Sequence, residues 1–215
     1  MFEYIMGATR SLIAPPVCAY CYELLSEETV FCSACTRLIV PIRQTSFVVA
    51  GYKVVVHALS SYQGPLKDLV LAKNYSCYRA SVQLGDFLAQ HPVLANKPDY
   101  LVPIPLYWAR YAWRGYNQTE VMARRIGALK NIPVDSCFYR SRKMTFQSLF
   151  SMQEGSDNIR ESFSLISPDN DKYRDTTLVL VDDVMMSGAT LKEAARKLAL
   201  LRPASIGALV VCRTQ

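Results

Sequence analysis

The segment from Leu178 to Leu191 reads Leu-Val-Leu-Val-Asp-Asp-Val-Met-Met-Ser-Gly-Ala-Thr-Leu, an apolar run that breaks into two adjacent carboxylates and then a short Ser/Gly/Thr turn. Leu178 to Val181 have the unbroken apolar character of a strand covered on both faces, so the fold must supply a layer on each side of it. The run stops where charge begins. This predicts Asp182 and Asp183 at the strand's C-terminal end, where open α/β sheets bind their ligands. Beyond the turn, Leu191, Ala194, Ala195 and Leu198 recur at helical spacing, while Lys192, Glu193, Arg196 and Lys197 are expected on the solvent side. Thr190 with Glu193 has capping-box spacing. A helix N-terminus offers unpaired N–H groups and the positive end of a dipole, so this turn can hold a phosphate. The plain alternative is a strand, a turn and a capped helix with two solvated acids; the order of the parts favours the ligand reading.

The cysteines impose a second constraint. Cys18-x-x-Cys21 is followed after ten residues by Cys32-x-x-Cys35, while Cys77, Cys137 and Cys212 stand alone and are expected to be small buried hydrophobes. Two such knuckles supply the four soft ligands of a tetrahedral structural zinc site, with no position left for a catalytic water. Redox dithiols are the alternative, although a redox protein needs only one pair.

About half of the 215 residues are apolar, enough for one substantial core and a small appendage. No apolar run reaches the ~20 residues needed to span a bilayer. Glu3 comes early and Arg10 follows the apolar residues, the reverse of a secretory signal, so a cytoplasmic protein without a transmembrane segment of its own is expected. Seven cysteines that need not pair fit that compartment. A net charge of +6 favours polyanions as partners.

The zinc module is expected over about residues 15–40, bounded by Pro15-Pro16 and Pro41, giving a division into residues 1–41 and 42–215. Two strands, Ser46 to Ala50 and Tyr52 to Ser60, flank a turn at Gly51. Leu66, Leu69, Val70 and Lys73 mark a short helix with Pro65 in its first turn, and a second helix covers Arg79 to Gln90. A strand from Tyr100 to Val102 ends in Pro103-Ile104-Pro105; a loop and a helix from Gln118 to Lys130 follow, with Asn117 and Glu120 at capping-box spacing. Ser141 to Asn158 has no clear period and is expected to be a long loop. A last strand, Ser205 to Val211, completes an alternating α/β domain. His57 and His91 have no evident catalytic partner.

The loop from Val102 to Gln118 carries Arg110, Arg114 and the run Arg114-Gly-Tyr-Asn-Gln118, able to offer guanidinium forks and backbone N–H groups to phosphate. Tyr107, Trp108, Tyr111, Trp113 and Tyr116 alternate with the two arginines, the combination of stacking faces and cations that holds single-stranded nucleic acid. The same rings could instead close the core over the strand end.

The acidic segment resembles the PRPP (5-phosphoribosyl 1-pyrophosphate) signature of type I phosphoribosyltransferases. With the CxxC pairs, Tyr62-x-Gly64-x-x-Lys67 and the Arg114 to Gln118 run, nearly the whole chain resembles the ComF family, competence-associated proteins that join a zinc finger to a phosphoribosyltransferase-type domain. The resemblance implies a type I phosphoribosyltransferase-like, mostly parallel sheet flanked by helices. It implies that Asp182 and Asp183 act at the ribose hydroxyls, directly or through Mg²⁺, and are the catalytic pair if there is turnover. It also implies that Met186, Ser187, Gly188, Ala189 and Thr190 surround the 5-phosphate and that Pro103, Ile104 and Pro105 mark the pyrophosphate side. Two positions depart from the family pattern: Met186 stands where a small hydroxylated residue is usual, and Gly155, between Gln147 and Asn158, where an arginine is usual. Arg142, Lys143 and Arg160 are candidates to compensate.

Three functions follow as expectations. The first is a PRPP-binding competence factor that supports uptake of transforming single-stranded DNA across the inner membrane. It would work beside a DNA-translocating helicase and, indirectly, the inner-membrane DNA channel, peripheral to the membrane through these partners. In that reading Arg110, Trp113, Arg114 and Trp108 bind nucleic acid. The second is an active phosphoribosyltransferase acting on an unidentified base or amine, with Mg²⁺ accompanying PRPP. The third is a non-catalytic, zinc-dependent scaffold for a DNA translocase.

Overall fold

The structure, a computed structural model, describes residues 16–27, 29–42, 44–72, 77–140, 163–167 and 171–214. The expected loop from Ser141 to Asn158, with Gln147 and Gly155, lies outside these residues, as do Pro15, Lys73, Arg142, Lys143 and Arg160.

The expected α/β architecture is observed. β1 (Thr45–Val49) and β2 (Tyr52–Ser61) form a hairpin whose two-residue turn, Ala50 and Gly51, has φ of 48° and 84°. Positive φ at both positions matches the right-handed twist of the flanking strands. β3 (Tyr100–Pro103), β6 (Thr177–Met185) and β7 (Ser205–Arg213) join them, and two short strands, β4 (Phe138–Arg140) and β5 (Phe163–Leu165), pair separately. The order of the main sheet is β1-β2-β7-β6-β3, parallel throughout except for β1.

Strand β6 lies inside this sheet and is covered on both faces, as its composition requires. Val179 and Val181 belong to one apolar cluster, Leu178 and Leu180 to the other. On the first face lie α2 (Gly64–Ala72), α3 (Tyr78–Ala89) and α5 (Gln118–Lys130). On the second lie α6 (Ala189–Ala199) and the β4–β5 pair. A short helix α1 (Ser33–Thr36) belongs to the cysteine module, and α4 (Trp108–Arg114) occupies part of the segment expected to be a loop.

The module is not a free appendage. Cys18, Val30, Phe31 and Cys35 share one buried cluster with Leu84 and Leu88 of α3, and the Phe31 ring meets Phe87 at 5.2 Å between centroids.

Two expected capping boxes are absent, for identifiable reasons. Asn117 is the N-cap of α5, but its side chain makes no cap bond, and Glu120 turns instead to Arg124 at 2.7 Å. At α6 the cap is Gly188, so Thr190 already lies inside the helix. Glu193, expected at the surface, is buried and pairs with Arg196. Of the three lone cysteines, Cys137 and Cys212 are buried as expected, whereas Cys77 is exposed.

Helices α3 and α5 approach closely at Gly85. A Cβ there would lie 2.8 Å from the Arg125 Cβ and 3.1 Å from the Met122 carbonyl oxygen. Neither atom is the free end of a flexible side chain, so Gly85→Ala must push the helices apart. Overpacking costs about 1–3 kcal/mol, against at most ~1 kcal/mol gained from the better helix former. A thermal melt should therefore show Gly85→Ala less stable than the parent.

Candidate functional site

Strand β3 pairs with β6 only as far as Pro103 opposite Val181, and Ile104 adds one more bond, N–H to the Val181 carbonyl, at 3.0 Å. Strand β6 continues to Met185 with β7 alone beside it. The edge left open from Asp182 onward is where a cavity of about 420 Å³ lies, a volume within the range typical of small-molecule sites. The acids hold the local backbone: Asp182 accepts the Asp183 N–H at 2.9 Å and Asp183 accepts the Val184 N–H at 2.6 Å. Asp182 is 8% exposed.

Beyond β6, Met186, Ser187 and Gly188 turn into α6, and all three line the cavity with Ala189 and Thr190. Gly188 adopts φ 75°, a left-handed conformation that costs glycine least. The first turn of α6 thus borders the cavity with N–H groups that have no partner inside the helix; that of Ala189 donates to Ser187 Oγ, ahead of the helix, at 3.4 Å. Met186 is 38% exposed and contributes a thioether to this wall, a weak acceptor with nothing to donate.

The opposite wall is the loop after β3. Ile104 and Pro105 line the cavity; Pro103, the last residue of β3, does not. The Ile104 carbonyl accepts from Asn117 Nδ2 at 3.2 Å and from Thr119 Oγ1, while Thr119 Oγ1 also lies 2.9 Å from Asn117 Oδ1. Asn117 therefore ties the Pro-Ile-Pro loop to the start of α5, which is why its side chain is not spent on a cap. The rest of the run from Arg114 to Gln118 has equally definite places. Gly115 ends α4 with φ 79°, Tyr116 packs edge-on against Tyr78 at 5.3 Å, and buried Gln118 faces the cavity.

Arg110 and Arg114 line the cavity, whereas Trp108 and Trp113 do not and are 66% and 71% exposed. No residue of α4 is buried, so its tryptophans do not close the core. The Arg114 guanidinium lies 5.9 Å from the Trp113 ring centre.

Sequence reasoning missed Arg140, which enters the cavity wall from β4. Its guanidinium stands over the Phe163 ring at 5.1 Å. Burial lowers its pKa; the negative charge of Asp182 opposes that shift and Arg110 adds to it. Burial and Arg110 lower Arg114 in the same way. The cavity thus gathers three guanidiniums and two carboxylates, an arrangement suited to an anion whose sugar hydroxyls or bound cation face the acids. No periodicity marks a three-residue strand, and Arg140 borders the undescribed segment, so only its place in space reveals it. His57 and His91 lie elsewhere, with ring centres 5.1 Å apart, and burial lowers both pKa values.

In the N-terminal module, Cys18, Cys21, Cys32 and Cys35 bring their Sγ atoms within 4.8 Å of one another, with Cys21 and Cys32 at 3.7 Å. A tetrahedral zinc with Zn–S near 2.3 Å requires sulfur separations of about 3.8 Å, so the donors fit such an ion. The Cys32 N–H points to Cys18 Sγ at 3.3 Å and the Cys35 N–H to Cys32 Sγ at 3.4 Å. Burial pushes the Cys18 thiol up, but the N–H groups of Cys21, Cys32 and Tyr20 outweigh it and bring it down to about 6. Burial and the neighbouring sulfurs push Cys35 up. Four thiols so close cannot all ionise without a cation among them.

Residues 77–215 match the phosphoribosyl transferase domain family. The chain belongs to that family. Among curated proteins, Competence protein F of Haemophilus influenzae is 33% identical over 103 residues, 47% of this chain and 44% of the relative. DNA utilization protein YhgH of Escherichia coli K12 is 29% identical over 118 residues, 54% of this chain and 50% of the relative. These alignments span about half the length of each relative, and with the family match and the cysteine cluster they support the ComF resemblance. Purine phosphoribosyltransferase from Pyrococcus horikoshii Ot3 is 17% identical, with a TM-score of 0.40 over 61% of this chain and 81% of that one, a likeness too loose to carry an argument. Among the described residues no helix is long and apolar enough to cross a membrane.

Natively purified protein should carry one metal ion per chain, and Cys21→Ser or Cys32→Ser should lose it. Because the module shares its core with α3, metal loss should also lower the melting temperature of the whole protein. Elemental analysis with a melt in chelator checks both; a metal-free chain of unchanged stability would refute the assignment.

Proposed function

We propose that this protein binds PRPP with Mg²⁺ in the cavity at the end of β6 and acts as a cytoplasmic factor in the uptake of transforming single-stranded DNA. The observation that carries the proposal is the convergence of Asp182, Asp183, the turn opening α6 and the arginines 110, 114 and 140 on one cavity. In this reading the turn from Met186 to Thr190 takes the 5-phosphate on backbone N–H groups at the positive end of α6. Asp182 and Asp183 face the ribose hydroxyls, and the loop of Ile104 and Pro105, with Pro103 behind it, borders the pyrophosphate. When bound with the ligand, Mg²⁺ would neutralise phosphate charge beside the two acids. The protein's own contribution is to hold the sugar phosphate rigidly, since both walls are fixed by strand pairing or by the Asn117 and Thr119 bonds to Ile104.

The DNA role draws on what the relatives are named for and on α4, where two exposed tryptophans stand beside two arginines. The residues proposed for nucleic acid are Trp108, Arg110, Trp113 and Arg114. Structural zinc on Cys18, Cys21, Cys32 and Cys35 would shape the N-terminal module, the natural place for a DNA-translocating helicase to dock; contact with the membrane channel would be indirect. Residues 1–41 and 42–215 are the two parts in this account. The enzyme reading is carried by the retained acids, with Asp182 and Asp183 as the catalytic pair; Met186 weighs against efficient turnover, because a thioether replaces a donor to phosphate.

Calorimetry with PRPP and Mg²⁺ tests the proposal. Asp182→Asn with Asp183→Asn should abolish binding while far-UV circular dichroism stays unchanged; undiminished affinity would move the ligand elsewhere. In the binding-factor reading, Met186→Thr should tighten PRPP without releasing pyrophosphate, whereas release on any common base would favour the enzyme.

For DNA, Trp113→Ala should weaken single-stranded binding about 5- to 150-fold, the effect of losing ~1–3 kcal/mol of stacking, and leave PRPP affinity nearly unchanged. Binding of the parent should fall steeply with salt as phosphate contacts release counterions. A fluorescence titration at several salt concentrations reads both effects.

A further inference from the structure

We infer that PRPP and single-stranded DNA exclude one another on this protein, because the pyrophosphate end of PRPP and the DNA backbone use the same two guanidiniums, Arg110 and Arg114. The inference rests on the proposed binding of both ligands.

Helix α4 has two aspects. Arg110 and Arg114, one turn apart, line the cavity, while Trp108 and Trp113 face solvent. The two aspects touch, since the Arg114 guanidinium lies 5.9 Å from the Trp113 ring centre. A base stacked on Trp113 would bring its phosphates to the guanidiniums beside it. From inside the cavity the same groups, together with Arg140, are the guanidiniums that can meet pyrophosphate. With the 5-phosphate at the turn that opens α6 and the ribose over Asp182 and Asp183, the C1 substituent extends toward the remaining wall, formed by Ile104, Pro105, Tyr107, Arg110 and Arg114.

Size separates the two approaches. A cavity of about 420 Å³ suits one sugar phosphate, so a strand must reach the arginines from outside, across α4. Donors engaged by pyrophosphate in fork geometry are spent, and their charge is neutralised, before a DNA phosphate arrives. Burial lowers the pKa of Arg114 and the nearby charge of Arg110 adds to that shift, so the two cations are crowded. Either anion relieves that crowding, and the second to arrive finds it relieved. Coupling of this kind is reciprocal, so each ligand must weaken the other by one common factor.

The test is fluorescence anisotropy of a labelled oligothymidine with the full chain, with and without PRPP and Mg²⁺ at a concentration shown by calorimetry to saturate, at matched ionic strength. The DNA Kd should rise roughly tenfold or more, and saturating DNA should weaken PRPP by the same factor. The salt dependence of the remaining DNA binding should be shallower, because fewer phosphates are neutralised. Ribose 5-phosphate with Mg²⁺, lacking the group that reaches α4, should occupy the cavity yet leave the DNA Kd within about twofold. Unchanged DNA affinity at saturating PRPP would overturn the inference and leave the proposed function standing. Displacement of DNA by ribose 5-phosphate as effectively as by PRPP would also overturn it. Failure of either ligand to bind alone would overturn the functional reading and this inference with it.

Discussion

The site depends on a difference in length between two neighbouring strands. β3 leaves the sheet at Pro103, while β6 runs on to Met185. A proline at a strand end cannot donate to a ladder and favours extended backbone before it, so the departure is written into Pro103 and Pro105 themselves. Had β3 continued alongside, the edge of β6 beyond Val181 would be paired. In this stretch the acids themselves accept two backbone N–H bonds, from Asp183 and Val184. The gap is then closed from the side by the loop of Ile104 and Pro105, held by Asn117 and Thr119 at the head of α5. The position of α5 depends in turn on its contact with α3 at Gly85, so the cavity wall is anchored two helices deep in the core.

Much of this was legible because the responsible signals are local. An unbroken apolar run such as Leu178 to Val181 has few ways to be buried, and a pair of CxxC knuckles has few ways to be used. The β1–β2 turn at Gly51 and the first-turn Pro65 of α2 were equally readable, since each residue restricts its own backbone. The errors arose where one side chain had two possible partners. Asn117 and Glu120 have the spacing of a cap, but the Ile104 carbonyl and Arg124 compete for them, and no rule of spacing reveals a competitor thirteen residues away. Glu193 was expected in solvent by its charge, yet it is buried, with Arg196 and Lys197 on the following turn reaching it from the surface. Arg140 was invisible for another reason: its strand is three residues long, and its proximity to Asp182 depends on how β4 and β5 pack over α6.

The electrostatics of the cavity give a coherent physical picture. Arg110, Arg114 and Arg140 line the cavity with Asp182 and Asp183, and burial with the charge of Arg110 lowers the pKa of Arg114 and Arg140. That lining is what supports the proposal of an anionic, hydroxylated ligand. Met186 adds one detail, a polarizable apolar group in the turn between β6 and α6.

The shared burial of Phe31 and Phe87 bears on how the chain is assembled during synthesis. The cysteine module leaves the ribosome well before α3, so Phe31 is made long before the ring that covers it. Metal capture by the four cysteines would need only residues 18–35 and could proceed at once, giving the nascent segment a shape when its own apolar content is too small to hold one. Docking against α3 comes later and consumes the surface the module has meanwhile exposed. A cell short of metal would therefore meet this protein's difficulty first as an uncovered aromatic on a growing chain, a target for chaperones, rather than as a defect in a finished site.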